Sequence, residues 1–198
     1  MDKMLQLIFA TNNENKTREI NSILNNKFEV ISLKQAGIDI EIDEPFDSLE
    51  ENAVEKARVI YELTNKACFA EDTGLEVDAL NKAPGVKSAR YAGEQRSAED
   101  NIKKLLKELD NKTDRGACFK TVIALNLNGK NHLFTGICKG TIIASPRGTM
   151  GFGYDPVFIP EGGLKTFAEM EISEKNVFSH RRKATELLVD FLSKLKNS

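Results

Sequence analysis

Three cysteines are all that the 198 residues contain, Cys68, Cys118 and Cys138, and no two of them stand at CxxC spacing. Each sits in an apolar stretch, so buried thiols in a reducing compartment fit better than a disulfide framework or a zinc site, and the chain reads as cytoplasmic. No apolar segment approaches membrane-spanning length. The run that follows Met1-Asp2-Lys3, Leu5 to Ala10, is only strand-length, so neither a membrane partner nor a targeting signal is read here. A basic excess is also missing. With 28 Lys+Arg against 30 Asp+Glu, a net charge of -2 and a pI near 5.8, a nucleic-acid backbone is not the expected main partner. There is no internal repeat, low-complexity tract or evident linker. What is present, 40% hydrophobic residues in a chain of this length, suffices for one substantial core, whole or divided into two lobes.

The apolar periodicity alternates between strand and helix. Leu5 to Ala10 reads as a buried strand, and Ile20, Ile23 and Leu24 as a short amphipathic helix after it. Phe28 to Leu33 reads as a second strand, followed by an acidic loop, Asp39 to Asp47. Ser48 with Glu51 forms a capping box before a helix whose Leu49, Ala53, Ala57, Ile60 and Leu63 share a face. A strand then runs into Glu71-Asp72-Thr73-Gly74, where Gly74 permits a turn. Ser97 and Asp100 cap a helix bearing Ile102, Leu105, Leu106 and Leu109. Phe119 to Leu127 and His132 to Cys138 flank Asn128-Gly129, a hairpin signal, and Gly140 to Ala144 offers another strand. Phe152 to Pro160 is irregular, and Ala184, Leu187, Leu188, Phe191 and Leu195 mark a last amphipathic helix. The pattern predicts a mixed α/β sheet with an antiparallel part and flanking helices.

Chemistry-bearing residues cluster at the element ends. Glu71 and Asp72 follow the apolar run Cys68-Phe69-Ala70, at the strand end where open α/β sheets bind ligands; a solvated turn is the plain alternative. Adjacent residues of an extended strand point to opposite faces, so both acids reach one side only if the chain turns. Thr11-Asn12-Asn13-Glu14-Asn15-Lys16 joins a strand to a helix, where free N–H groups, the helix dipole and the Lys16 charge favour a phosphate. The loop lacks Walker glycines, and a run of this kind also serves as a helix cap. Glu44 sits in the acidic loop, and Lys56 at the edge of the apolar face of the following helix, either as a ligand group or as a snorkelling lysine. Gly151-Phe152-Gly153-Tyr154-Asp155-Pro156 joins flexible backbone, two aromatics and an acid, suited to a flat base or to a structural corner. Ser179-His180-Arg181-Arg182-Lys183 sets cations at a helix N-terminus, against the dipole, a conflict that an anionic ligand relieves. Carboxylates for a metal with cations such as Lys16 and Lys175 for phosphate make up metal-assisted phosphoryl chemistry.

Six blocks occur here in a family's order: Thr11-x-Asn13-x-x-Lys16; Ser48-x-x-Glu51-Asn52-Ala53 with Lys56-Ala57-Arg58; Glu71-Asp72-Thr73-Gly74-Leu75; Ala83-Pro84-Gly85-Val86-x-Ser88-Ala89-Arg90-Tyr91; Gly151 to Pro156; and Ser179-His180-Arg181. Through them the chain resembles the inosine triphosphate pyrophosphatase family, the Ham1-like or noncanonical purine nucleoside triphosphate pyrophosphatases. Each block is weak singly and the ordered set is specific. The resemblance departs at three positions: Glu71 stands where Asp is frequent, Thr73 where Ser is common, and Asn12 where Gly is frequent.

The resemblance implies one nucleoside triphosphate pyrophosphatase domain over residues 1–198, a two-lobed mixed sheet with flanking helices and a central cleft, as in the Maf and Ham1 folds, assembled as a homodimer. It implies hydrolysis of ITP, dITP and XTP to monophosphate and pyrophosphate with Mg2+. By that carry-over Thr11, Asn12, Asn13, Glu14, Asn15 and Lys16 hold the triphosphate, with Lys56 and Lys175. Glu44 and Asp72, with Glu71, bind the metal; Asp72 is the proton acceptor and Thr73 touches substrate. Phe152, Gly153, Tyr154 and Asp155, with His180 and Arg181, form the base pocket. A Maf-type pyrophosphatase of pyrimidine or modified nucleotides, and a nucleotide-binding module without catalysis, are the competing readings.

Overall fold

The computed structural model describes residues 6–24 and 28–196. In chain order its elements are β1 (Gln6–Phe9), α1 (Glu14–Leu24), β2 (Glu29–Ser32), α2 (Leu49–Thr64), β3 (Cys68–Val77) and β4 (Pro84–Gly85). They continue with α3 (Ala98–Glu108), β5 (Gly116–Leu127), β6 (Lys130–Ile142), β7 (Phe158–Pro160), α4 (Ile172–Phe178) and α5 (His180–Lys196). Leu5, the expected first residue of β1, lies outside the described residues. The strands form one mixed sheet in the order β2-β1-β3-β5-β6-β7, with β4 paired to β3 off that path. β1 runs parallel to β2 and β3, whereas the β3–β4 and β6–β7 pairs are antiparallel. The α/β reading with an antiparallel part therefore holds.

Two compact units divide the chain. The first comprises Met1–Asp72, Thr121–Gly136 and Arg181–Ser198, the second Thr73–Lys120 and Ile137–His180. In the first unit Leu7, Phe9, Ile20, Phe69, Ile123 and Leu188 are core residues, and Phe9 stacks on Phe69 with ring centroids 4.5 Å apart. In the second, Leu75, Leu105, Phe119, Phe158 and Phe167 are packed together. Each unit thus has its own apolar centre, the condition for a compact body.

Local signals act where they were read. Ser48 accepts the Glu51 amide and its hydroxyl donates to the Glu51 carboxylate at 2.7 Å, closing the N-terminus of α2. Ser97 caps α3 through the Asp100 amide. Asn128 and Gly129, with φ of 52° and 76°, make the two-residue turn between β5 and β6. Three expectations change. Gly140 to Ala144 opens no new strand: β6 continues unbroken to Ile142 and pairs there with β7, inside the segment read as irregular. Leu63 lies off the buried face of α2 at 59% exposure, and Leu187 and Leu195 of α5 are exposed while Ala184, Leu188 and Leu192 are buried. Helix α4 was not legible, because over Ile172–Phe178 the apolar groups show no helical stripe and Val177 is exposed.

A further change concerns the acids. β3 does not end at Glu71; it runs on through Asp72, Thr73 and Gly74 to Val77. Gly74 makes no turn. A Cβ there would lie 2.5 Å from the Gly85 carbonyl oxygen, so the glycine is required by the close approach of β4. Its neighbour Leu75 donates its amide to Ser88 Oγ at 2.8 Å, and Ser88 Oγ donates to the Gly85 carbonyl at 2.5 Å. The Pro84 to Tyr91 block is thereby explained as the brace of the second half of β3, with Leu80 and Tyr91 packed against the core of their own unit.

Candidate active site

The first unit gathers three cations and four carboxylates around β3. The loop after β1 is built by its own side chains: Thr11 Oγ1 accepts the Asn13 amide at 3.1 Å, and Asn13 Oδ1 accepts the amides of Asn15 and Lys16 at 3.0 and 3.2 Å. Asn13 is thus the cap of α1. Asn12 Nδ2 donates to the Ile40 carbonyl at 2.9 Å and ties this loop to the acidic segment. Glu14 is exposed, as the first residue of α1.

Because β3 stays extended, Glu71 and Asp72 leave it on opposite faces. Glu71 receives Arg181 in a fork, Nε to Oε2 at 2.7 Å and Nη2 to Oε1 at 3.0 Å, and Lys16 Nζ stands 3.2 Å from Oε1. Arg181 also donates through Nη1 to Glu19. Its cationic start of α5 is therefore balanced by the protein's own carboxylates, which relieves the dipole conflict without a ligand. On the other side Lys56 Nζ lies 2.6 Å from Glu44 Oε1 and 3.4 Å from Asp72 Oδ1. Lys56 is buried on α2 between Ala53 and Ala57 and does not snorkel to solvent.

The two neighbours titrate apart. Burial pushes the Glu71 carboxyl up, but the Arg181 guanidinium and the Lys16 ammonium outweigh it and hold it at about 2. Burial pushes the Asp72 carboxyl up as well; Lys56 and Lys16 pull against this, Glu44 adds to it, and the result lies above the ordinary value. One carboxylate is a fixed anion, the other a basic one. Such a split is how a site separates a structural charge from a proton acceptor.

The second unit holds the glycine-aromatic segment. Asp155 Oδ2 accepts the Phe152 amide at 2.9 Å and Lys175 Nζ at 2.5 Å, with both side chains of the ion pair about 5% exposed or less. Lys175 also lies over the rings of Phe152 and Phe167, 5.3 and 5.1 Å from their centroids. Gly151 has φ +75°, and a Cβ there would come within 2.1 Å of Asp155 Oδ2, so the turn admits no side chain. Tyr154 faces inward: it is core, and its hydroxyl donates to the Ser88 carbonyl at 2.9 Å. Burial holds that phenol above its ordinary range. His180 is buried and stacked on Phe119, centroids 4.7 Å apart. Gly153 is half-buried, as is Thr73 of β3.

Two further residues support these groups. Asn52, fully buried on α2, accepts the Phe46 amide and donates to the Phe46 carbonyl, both at 3.0 Å, and so pins the acidic loop next to Lys56. Glu19 is buried on α1 as the second partner of Arg181. The signal for both is a polar residue in the buried phase of an amphipathic helix: Asn52 precedes Ala53, and Glu19 precedes Ile20. Among the described residues no group of three His, Cys, Asp or Glu side chains is placed to hold a metal, and no helix is long and apolar enough to cross a membrane.

Residues 7–191 match the Ham1 family, and the chain belongs to it. It is 54% identical over 187 residues to a protein of Flavobacterium psychrophilum named dITP/XTP pyrophosphatase, covering 94% of this chain and 98% of that one. A protein of the same name from Flavobacterium johnsoniae is 51% identical over 192 residues, 97% of this chain and all of the other. The Ham1 protein of Staphylococcus aureus superposes with a TM-score of 0.85 at 40% identity, covering 96% and 98% of the two chains. A HAM1 protein from Coxiella burnetii superposes at 0.88 with 36% identity, covering 96% and 100%.

Proposed function

We propose that this protein hydrolyses noncanonical purine nucleoside triphosphates, ITP, dITP and XTP, to the monophosphate and pyrophosphate, and so keeps deaminated purines out of nucleic acids. The observation that carries the reading is the pair of adjacent buried carboxylates with different partners, Glu71 on Arg181 and Lys16, Asp72 beside Lys56. It is supported by relatives named dITP/XTP pyrophosphatase that match nearly the whole chain.

In this reading Asp72 takes a proton from the water that attacks the α-phosphorus, and the pyrophosphate leaves with the charge it gains. Lys16 and Lys56 offset that charge, and the capped loop Thr11 to Asn15 at the start of α1 is proposed to hold phosphate oxygens beside Lys16. Glu71 is proposed to act on the site through Lys16 and Arg181, with which it is paired. Glu44 and Asp72 would hold magnesium. The donor set fits: both are carboxylates, both lie within ion-pair distance of one ammonium, and magnesium takes one or two carboxylates together with phosphate oxygens and water. When bound, the ion polarises the triphosphate and makes water more acidic.

For the second unit, Thr73, Phe152, Gly153, Asp155, Lys175 and His180 are proposed as substrate-binding residues. Inosine and xanthine carry an acceptor oxygen at the purine 6-position where adenine carries a donor, so a donor such as His180 discriminates by leaving adenine unpaired. Tyr154 supports this segment from the core, and Arg181 acts through Glu71. A homodimer, implied by the same resemblance, is proposed with it and is read by light scattering.

The test is pyrophosphate release from ITP, dTTP and ATP with and without magnesium. Release from ITP alone, and only with magnesium, is expected, with oxygen-18 from water appearing in the monophosphate. Preferential release from dTTP would move the protein to the Maf-type reading, and binding without release would make it a nucleotide-binding module.

A further inference from the structure

We propose that Lys56 is the resting counter-cation of the metal site: without metal its ammonium holds Glu44 and Asp72 together, and it passes to the triphosphate when magnesium arrives with the nucleotide. The inference rests on the pyrophosphatase reading and deepens it, by fixing how metal and substrate depend on one another.

Three observations carry it. Lys56 Nζ is 2.6 Å from Glu44 and 3.4 Å from Asp72, so a single positive charge spans two carboxylates of distant sequence origin. The lysine is anchored: its side chain is 8% exposed, and it leaves α2 beside Ala53, Ala57 and Ile60, which are fully buried. The acidic loop is anchored too, through Asn52 on Phe46, so Glu44 does not simply swing away when the ammonium leaves.

Two carboxylates and one ammonium leave a local charge of about minus one, and a divalent ion in place of the ammonium neutralises it. The displaced ammonium is then a buried charge without its former partners, which is unfavourable unless an anion takes it. Magnesium alone provides no such anion, whereas magnesium with a triphosphate does. The chain therefore binds magnesium weakly by itself, and metal and nucleotide strengthen each other's binding by the same factor.

The experiment is a calorimetric titration of the full chain with magnesium chloride alone, no nucleotide present, for the unaltered protein, Lys56→Met and Lys56→Arg. Lys56→Met is expected to bind magnesium about tenfold more tightly, since two carboxylates lose a competing cation, and Lys56→Arg to stay weak. Turnover of ITP falls in Lys56→Met although its metal affinity rises, a combination that a merely structural lysine does not produce. Circular dichroism verifies that each variant is folded, and Lys56→Gln replaces Lys56→Met if the latter is not. Unchanged or weaker magnesium binding in the neutral variant overturns the exchange. If the unaltered protein releases no pyrophosphate from ITP, the pyrophosphatase reading fails instead, while the titration still reports on the cation exchange.

Discussion

Glu71 and Asp72 are consecutive in β3, yet one meets Arg181 and the other Lys56, because an extended strand turns neighbouring side chains to opposite faces. Lys16 acts electrostatically on both, but their direct ion-pair partners differ, and the chemistry of the site follows from that difference.

Asp72→Asn is expected to reduce kcat by several orders of magnitude while nucleotide binding without magnesium is largely kept, since the amide retains shape and loses basicity. The pH profile of the unaltered enzyme should have an acid limb, because Asp72 must be ionised to accept a proton. Steady-state rates and equilibrium binding of ITP check both statements. Near-normal turnover in Asp72→Asn would remove Asp72 from the role of base.

Glu71 makes stability depend on pH, its carboxyl being shifted down where that of Asp72 is shifted up. Its folded value, about 2, lies below the ordinary 4.5, so the fold binds its proton less readily than the unfolded chain does. The stabilisation is complete above 4.5 and is lost as pH falls towards 2, a gap worth roughly 3 kcal/mol. Urea unfolding at several acid pH values should show a flatter dependence in Glu71→Gln over that window.

Arg181→Ala leaves Glu71 and Glu19 buried without the guanidinium that both face, and a loss of roughly 3–5 kcal/mol is expected. Arg181→Lys recovers only part of it, for one ammonium cannot reproduce a fork to one carboxylate and a third N–H to another. At temperatures where the variants remain folded, the ratio of ITP to ATP turnover should be unchanged. A collapse of that ratio would return Arg181 to direct base recognition.

Asn52→Ala removes two hydrogen bonds to the Phe46 backbone, with a cost of roughly 1 kcal/mol for each. Amides of residues 42–47 other than proline are expected to exchange faster with solvent, and the magnesium concentration for half-maximal turnover to rise. Hydrogen exchange with the melting temperature separates this loop effect from general destabilisation.

Gly74→Ala places a methyl group 2.5 Å from the Gly85 carbonyl, so β4 must move away from β3, at roughly 1–3 kcal/mol. Chemical denaturation measures it. A neutral substitution would show that β4 does not approach Gly74 this closely.

Periodicity and capping make most of the architecture legible in the sequence. Ser48 and Ser97 begin their helices, Asn128-Gly129 turns β5 into β6, and the apolar runs become the strands of a mixed sheet. These are local signals, carried by residues within a few positions of one another. Where a strand meets no local stop it continues: acids and a glycine after Ala70 permit a turn, but pairing with β4 keeps β3 extended to Val77.

By itself the sequence determined which chemical groups are present and on which elements they ride: carboxylates on β3, a lysine after β1, another on α2, and a cation-rich start to α5. Only the tertiary structure decided their partners. Arg181 lies 110 positions from Glu71 and 162 from Glu19, and no local rule reaches that far. Charge pairing depends on distance and burial, which the packed chain sets, whereas helix caps and turns depend on backbone geometry that neighbouring residues already dictate.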